Sequence, residues 1–284
     1  RSRMVRWFAR RAVPPVARWA VWTWARLLDL PGRFGSAAAV ASGAAALGVL
    51  LLGGWRAVQF VIEKPLSLEA RGIPLSLALS FARVAVGVGL AVLLAVPLAY
   101  LVFRRARVRQ VVLSALQVLG SVPATAFFPL IAAIMVRFGL GMNLGSILLV
   151  LTGTFFYVAF NVLSGAAAIP KEMNEAAAAL GLRGGTYLKR VFVPAILPSL
   201  VTGCVTAWGG GWNAIIFSEY VVAAGKLHSV RGIGATLDHA TYVTGDLQLV
   251  TLSLVSMVAL VILVNRLFWD PLYQHVAARY KMEG

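Results

Sequence analysis

Five side chains that can form hydrogen bonds or carry charge lie inside long apolar stretches of this sequence. Groups of this kind could bind a polar solute. The five are Arg83, Asn161, Trp212, Asn213 and Glu219. Polar and charged groups of this kind are costly in hydrocarbon unless they face other protein or a wet cavity. Structural roles stay open beside the solute-binding role, since Arg83 can pair with Glu219 and Asn161 can hydrogen-bond between helices. We predict that these residues line or brace a passage for a polar solute.

Residues that could break a covalent bond are not grouped in this sequence. The three histidines lie far apart in polar segments, and the single cysteine, Cys204, has neither a disulfide partner nor a second thiol for a metal site. Gly225-Lys226 is followed by Leu227, and the chain contains no Gly-x-x-x-x-Gly-Lys-Ser/Thr loop of the kind that holds ATP phosphates. The sequence therefore predicts that the chain is not an enzyme and carries no cofactor or metal of its own.

The elements that would position the five residues are apolar helices. Hydrophobic residues make up 60% of the 284 residues and charged residues only 13%, a balance unlike that of soluble domains. Apolar runs of about 20 residues recur, which is the length that a helix needs to cross a bilayer. We predict an all-α polytopic membrane protein with six transmembrane helices, near residues 36–55, 75–103, 111–136, 145–165, 194–222 and 248–268.

The distribution of basic residues predicts the orientation of these spans. Nineteen of the 26 Lys and Arg residues lie in one set of connections, namely residues 1–34, 104–109, 166–193 and the tail after 265. Because cytoplasmic loops carry the excess of Lys and Arg, both termini and the 166–193 loop are predicted to be cytoplasmic. The predicted domains are a basic, Trp-rich interfacial segment or linker (1–35), a six-helix membrane domain (36–268) and a cytoplasmic tail (269–284).

The chain as a whole is strongly basic, with 26 Lys and Arg residues against 10 Asp and Glu residues. In a membrane protein this balance favours basic cytoplasmic loops and anionic lipid headgroups over a nucleic-acid partner. Arg and Trp alternate in residues 1–34, a pattern that also occurs in proteins that bind single-stranded nucleic acid. Next to six spans, an amphipathic helix in the membrane interface is the better interpretation. The lipid bilayer is therefore the predicted partner of this segment, and no nucleic acid is expected.

A short Ala-rich segment interrupts the apolar runs within the 166–193 loop. Glu172 and Glu175 fall in its early turns, where carboxylates favour the positive end of the helix dipole. Ala176 to Ala179 are strong helix formers, and Gly181 supplies a helix stop. The pattern predicts a short cytoplasmic helix near 171–181, whose small side chains let another backbone approach closely.

The stretch Trp208-Gly209-Gly210-Gly211-Trp212 is also unusual for the middle of a span. Three consecutive glycines weaken a helix because glycine loses the most conformational freedom when it is ordered. The stretch predicts either a kinked, gating segment or a close contact between helices, and both alternatives stand.

The spacing around the short helix resembles a known family motif. Glu175-Ala176-Ala177, three residues, Gly181, nine residues and Val191-Phe192-Val193-Pro194 resemble the Glu-Ala-Ala motif of binding-protein-dependent ABC importer permeases, with valines in place of the usual Ile and Leu. Residues 80–102, 121–182, 211–221 and 231–234 are similar to the nitrate, sulfonate and bicarbonate branch of that family. The tail after 265 looks like the carboxyl end of members in which two permease halves are fused, and the basic leader without an initiator Met fits that expectation.

The resemblance implies a type I importer fold in a bacterial cytoplasmic (inner) membrane. In that family the short helix is a coupling helix, seated in a cytoplasmic ABC ATPase dimer that binds ATP and Mg²⁺. A second permease half, separate or fused, completes the pathway, and an extracytoplasmic substrate-binding protein delivers the solute. By this resemblance Glu175 is the polar anchor, Gly181 fixes the angle, and the packed contacts are made by Ala176, Ala177 and Leu180.

A secondary carrier or channel that works without an ATPase is the alternative function. Proton-coupled carriers usually need several buried ionisable groups as relays, and Glu219 is the one carboxylate within the predicted spans. The solute itself is not determined by the sequence. The family branch favours small oxyanions such as sulfonates or bicarbonate, and it also contains members for other nutrients.

Overall fold

The computed structural model describes residues 67–103, 105–223 and 226–280, together with short pieces between residues 43 and 65. The chain divides into two compact units, residues 1–64 and 65–284, and the helices named here belong to the second unit. The predicted interfacial segment 1–35 lies outside the described residues. Most of the first predicted span, 36–55, also lies outside them, although its described positions are helical.

Helices account for most of the described part of the second unit. Its α-helices are α1 (Ile73–Phe103), α2 (Ala106–Ser121), α3 (Phe128–Arg137), α4 (Met142–Ala167), α5 (Lys171–Ala179), α6 (Gly184–Tyr187), α7 (Val193–Ser218), α8 (Ile233–His239), α9 (Leu247–Val264) and α10 (Asp270–Tyr280). Three π-helical turns join neighbouring helices, at Leu188–Phe192, Ala240–Thr244 and Asn265–Trp269.

Four helical stretches among the described residues are long and apolar enough to cross a membrane. They are Glu69–Phe103, Met142–Ala167, Gly184–Ser218 and Leu247–Arg279. These stretches agree with four of the predicted spans, because an unbroken apolar run of this length forms a helix wherever lipid or other helices cover it. The predicted total of six spans stays a prediction.

The span predicted over 111–136 is not one continuous helix, although its two parts together are long and apolar enough to cross a membrane as a broken span. The chain there forms two helices, α2 and α3, whose axes differ in direction by 81°. Val122 and Pro123 between them are extended, with ψ of 127° at both residues. Proline disfavours helical backbone in the residue before it, so the run breaks at this point although its apolar composition continues.

Two further boundaries differ from the prediction. The fifth predicted span, 194–222, ends as a helix at Ser218, and β1 (Tyr220–Ala223) pairs antiparallel with β2 (Lys226–Ser229). The β-branched residues Val221 and Val222 favour a strand once the helix has ended. The helix of the sixth predicted span, 248–268, continues beyond its predicted end through α10 to Tyr280.

Close contacts between helices bring α4 against both α1 and α7. A Cβ atom on Gly87 of α1 would lie 2.7 Å from Cγ1 of Val150, and one on Gly211 of α7 would lie 2.8 Å from Cγ1 of Val84. Small residues at such contacts let transmembrane helices approach closely. Helix α7 is continuous through the three glycines, and Gly210 and Gly211 lie in close contact with Tyr157 and Val84, as the close-packing alternative predicts.

Candidate functional site

The bundle has two ends that differ in composition. The basic end consists of residues 103, 105–110 and 168–192, and the hairpin end consists of residues 138–142, 219–223 and 226–246. The predicted coupling segment lies at the basic end, where α5 begins directly after the extended residue Pro170. Helix α5 therefore connects the end of α4 to the turns that lead into α7.

The end of α5 has a well-defined hydrogen-bonding pattern. Gly181 has φ of +68°, a left-handed conformation that glycine adopts without steric cost. Its N–H donates to the carbonyl oxygen of Ala178 over 3.0 Å, and the N–H of Leu182 donates to the carbonyl oxygen of Ala177 over 2.9 Å. These two bonds make the glycine-terminated helix end known as the Schellman motif, and they confirm the predicted helix stop at Gly181.

The two faces of α5 have different surroundings. Glu175 and Ala176 are exposed, and the side chain of Leu180 just beyond the helix is 76% exposed. Ala177 is only 4% exposed and belongs to the chain's own hydrophobic core. The expectation that Ala177 packs against a partner therefore does not fit its position, whereas Glu175, Ala176 and Leu180 present a free surface.

Aromatic side chains fix α5 to the rest of the basic end. The ring of Tyr187 stacks on that of Phe103 with centroids 5.9 Å apart, and its hydroxyl donates to Oδ1 of Asn174 on α5. The hydroxyl of Tyr100 donates to the carbonyl oxygen of Gly184 over 3.1 Å. Through these contacts α5 is held against the end of α1, so a force on α5 is transmitted to the long helices.

At the hairpin end, Glu219 lies at the centre of a buried cluster. Nη1 of Arg83 is 2.5 Å from Oε1 of Glu219, and the hydroxyl of Ser80 donates to the same oxygen over 2.7 Å. The N–H of Gly234 donates to Oε2 over 2.8 Å. Arg83 and Glu219 are both buried in the chain, and the pairing considered as a structural alternative for these two residues is confirmed.

The rest of this cluster ties four parts of the chain together. Arg83 also donates through Nη2 to Oδ1 of Asn143 over 2.7 Å and through Nη1 to the carbonyl oxygen of Arg231 over 2.9 Å. A Cβ atom on Gly232 would lie 2.1 Å from Oε1 of Glu219, so this position needs glycine for space. We call Ser80, Arg83, Asn143, Glu219 and residues 231–234 the buried clamp.

An exposed line of polar side chains runs along α4 and α7. On α7 the exposed residues Thr202, Thr206, Gly209 and Asn213 recur at intervals of three or four residues, and on α4 Tyr157 and Ser164 are exposed while Asn161 is half-buried. Residues spaced in this way share one face of a helix. We call the polar side chains among them the polar stripe: Tyr157, Asn161, Ser164, Thr202, Thr206 and Asn213.

The two halves of the polar stripe adjoin each other. A Cβ atom on Gly203 would lie 2.9 Å from Cβ of Asn161, and one on Gly210 would lie 2.7 Å from the ring of Tyr157. The hydroxyl of Thr206 donates to the carbonyl oxygen of Thr202 over 3.0 Å, which leaves its oxygen lone pairs free to accept hydrogen bonds. The stripe contains no charged side chain.

The structure thus separates the five residues predicted to meet a solute. Asn161 and Asn213 lie on the polar stripe. Arg83 and Glu219 lie inside the buried clamp, and Trp212 is buried with its ring against that of Trp208. The sequence analysis missed the other four members of the stripe, Tyr157, Ser164, Thr202 and Thr206. The spacing of Thr202, Thr206 and Asn213 along one helix face was a signal that could have found the two threonines.

Two groups at the hairpin end, outside the spans, have shifted pKa values. Burial raises the pKa of the Asp238 carboxyl, and a hydrogen bond from the Tyr220 side chain lowers it in part. Burial and then the charge of Asp238 raise the pKa of the Tyr220 hydroxyl. Both shifts favour the neutral forms, so neither group is prepared as a nucleophile. No group of three or more His, Cys, Asp or Glu residues among those the structure describes is placed to hold a metal ion.

Comparisons with known proteins agree with this architecture. The chain is 29% identical over 185 residues to a putative ABC transporter permease protein of Methanocaldococcus jannaschii. The matched region covers 65% of this chain and 66% of the relative. It is 27% identical over 184 residues to the taurine transport system permease protein of Escherichia coli K12, covering 64% of this chain and 63% of the relative. The match therefore spans less than two thirds of the length of either relative.

A solved structure of inward-facing MetNI, a methionine ABC transporter, shares the fold. A chain of that structure superimposes with a TM-score of 0.59 at 19% sequence identity, and the match covers 74% of this chain and 99% of that one. The resemblance found in the sequence is confirmed, and the fold is that of a type I permease in a multi-pass membrane protein. Residues 87–282, more than half of the chain, match the model of one family, and the chain belongs to that family, the binding-protein-dependent transport system inner membrane components.

Proposed function

We propose that this chain is the transmembrane permease subunit of an ATP-driven importer and forms half of the translocation pathway for a small polar solute. The observation that carries the proposal is helix α5, which is anchored by Ala177 and Asn174 and exposes Glu175, Ala176 and Leu180 at the basic end. A short, firmly attached helix with a free surface is suited to receive movement from another protein.

A cytoplasmic ATPase dimer is the partner that this surface implies. ATP and Mg²⁺ are bound by that partner, because this chain has no phosphate-binding loop. Glu175 supplies a charged contact, while Ala176, Leu180 and Gly181 supply a flat apolar one. Because α5 is joined to α1 by Tyr187 and leads into α7, a rotation of the docked helix changes the packing of the spans, as in shear and hinge transitions of packed helices.

A second permease half completes the pathway. The polar stripe lies on membrane-spanning helices, and exposing amide and hydroxyl groups to lipid is unfavourable. In a water-filled passage between two halves of a permease, these amide and hydroxyl groups can hydrogen-bond to water or to the solute. We therefore assign the polar stripe, with Asn161 and Asn213, to the translocation pathway, and we assign Arg83, Trp212 and Glu219 to positioning roles behind it.

The solute class follows from the relatives and from the stripe. Taurine, named for the Escherichia coli relative, is a sulfonate, and amide and hydroxyl groups can hydrogen-bond to the oxygens of such an anion without trapping it by charge. We propose a small oxyanion of the sulfonate or bicarbonate kind, delivered by an extracytoplasmic binding protein across a bacterial cytoplasmic membrane.

The substitution Gly181→Asp tests the coupling role. Asp is among the residues that tolerate a left-handed backbone, and no atom lies within 4 Å of the new Cβ, so the spans stay folded. The added charge and bulk obstruct docking at the corner of α5. We expect the ATPase to be lost from the purified complex, and ATP-dependent uptake into proteoliposomes to fall to background.

Gly139→Asp is the matched control, because Gly139 has φ of +65° and equally open surroundings at the hairpin end. The control should retain the ATPase. If Gly181→Asp transports normally with its partners present, the coupling assignment is wrong. Uptake by the chain without any ATPase would instead support a secondary carrier.

A further inference from the structure

A concave pocket beside α5 has no role in the proposed function. It has a volume of about 600 Å³ and lies between the end of α1, the end of α4 and the inner side of α5. Three basic side chains, Arg109, Lys171 and Arg183, stand around it. It is separate from the exposed surface of Glu175, Ala176 and Leu180, none of which lines it.

The basic side chains of this pocket lack anionic partners within the described ranges. No carboxylate oxygen there lies within 4.0 Å of their nitrogen atoms, since the two ion pairs in that part of the chain involve Arg83 and His239. Nη1 of Arg109 donates to the carbonyl oxygen of Phe103 over 2.9 Å, which holds the guanidinium at the rim while its other N–H groups point to no acceptor among the described residues. The pocket therefore concentrates positive charge with no internal neutralisation.

The inner wall of the same pocket is apolar. Phe103, Ile169 and Leu182 line it together with alanines from the end of α4. Helices α1 and α4 end beside the pocket, at Phe103 and Ala167, on the side that the excess of Lys and Arg predicts to be cytoplasmic. A cationic rim over an apolar wall at the cytoplasmic ends of spanning helices matches a phosphate group attached to acyl chains.

We propose that this pocket binds an anionic phospholipid, with the phosphate held by Arg109, Lys171 and Arg183 and the glycerol region against Phe103 and Leu182. Basic pockets between membrane helices near the cytoplasmic surface are known to take such headgroups. The lipid would fill the space behind α5 and hold it in place against α1 and α4. This proposal does not depend on the identity of the transported solute.

The test uses the full chain in its assembled complex, purified and stripped of lipid. Binding of phosphatidylglycerol and of phosphatidylcholine is measured by native mass spectrometry and by the lipid-dependent shift in thermal unfolding. We expect phosphatidylglycerol to bind preferentially. Each basic residue removed near a membrane surface weakens such binding about fivefold, so the Lys171→Ala/Arg183→Ala double variant should bind about 25-fold more weakly. Arg109 is left intact because it also holds the Phe103 carbonyl.

Two matched variants keep the result interpretable. Lys189→Ala/Arg190→Ala removes two exposed basic residues of the same end that do not line this pocket, and it should bind phosphatidylglycerol like the unmodified chain. Lys171→Arg/Arg183→Lys preserves both charges and should restore binding, which a merely misfolded variant would not do.

Three outcomes would overturn the proposal. Equal losses in the two alanine double variants would mean diffuse attraction rather than a site. Displacement of phosphatidylglycerol by inorganic phosphate at matched concentration would mean a site for a free anion. A photocrosslinker at position 183 that attaches to the ATPase and not to lipid would mean that the pocket receives an acidic segment of the partner.

Discussion

At the scale of single residues, the Arg83–Glu219 pair dominates the hairpin end. Removing one member of a buried ion pair leaves an uncompensated charge, which typically costs about 3–5 kcal/mol. We expect Arg83→Met to lower the free energy of unfolding, measured by denaturant titration in detergent, by about this amount. The Ser80 and Gly234 bonds to Glu219 cannot replace the lost positive charge.

A double-mutant cycle isolates the interaction between the two residues. Glu219→Gln removes the second charge at nearly constant shape, so the Arg83→Met/Glu219→Gln variant should be more stable than the sum of the two single effects predicts. Additive losses would show that Arg83 acts through Asn143 and Arg231 alone, and the buried clamp would then lack the ion pair as its centre.

At the scale of elements, two adjacent alanines of helix α5 have different surroundings: Ala177 packs into the chain's own core, and Ala176 is exposed. Leucine at position 177 would be forced into a filled core, and overpacking of this kind costs about 1–3 kcal/mol. Leucine at position 176 points away from the chain and should change the free energy of unfolding by no more than about 0.5 kcal/mol. Comparing Ala177→Leu with Ala176→Leu by thermal unfolding and by ATPase co-purification separates the two faces.

The two substitutions should have opposite signatures. Ala177→Leu lowers stability, whereas Ala176→Leu leaves stability unchanged and reduces the amount of ATPase that co-purifies. If Ala176→Leu retained the full amount of ATPase, the exposed face of α5 would not be the docking surface, and the coupling proposal would have to rest on Leu180 and Gly181 alone.

At the scale of the whole molecule, the polar stripe predicts where the second permease half lies. The single cysteine, Cys204, is buried and can be replaced by serine to give a background for crosslinking. In that background Thr206→Cys, labelled at its thiol with a maleimide–benzophenone reagent, should crosslink to the partner half on illumination, because benzophenone inserts into C–H bonds and needs no second thiol. Leu93→Cys, on an exposed apolar face of α1, is the control and should not crosslink, because lipid covers that face.

Crosslinking that is equally efficient at both positions would contradict this arrangement. The arrangement would also be contradicted if the Leu93→Cys variant gave a crosslinked product and the Thr206→Cys variant gave none. The interface between the two halves would then lie on α1. The readout is the size of the product in a denaturing gel, which does not depend on transport activity or on the identity of the solute.

Much of the architecture could be predicted from the sequence because it depends on local rules. The length of an apolar run decides whether a helix can span a bilayer, so α1, α4 and α7 begin within a few residues of their predicted starts. The end of α5 at Gly181 follows from backbone geometry, since glycine is the residue that adopts positive φ freely. The Glu-Ala-Ala part of the family motif lies on this same helix, which is why the proposed coupling residues could be named from the sequence.

Only the tertiary structure decided which polar residues face inward. Arg83 and Asn213 look alike in the sequence, as polar groups inside apolar runs, but Arg83 is enclosed by Asn143, Glu219 and residues 231–234 while Asn213 is exposed. The difference depends on contacts between residues 60 to 148 positions apart in the chain, which no local pattern records. The inward face of Ala177 and the pocket behind α5 depend in the same way on how the helices pack.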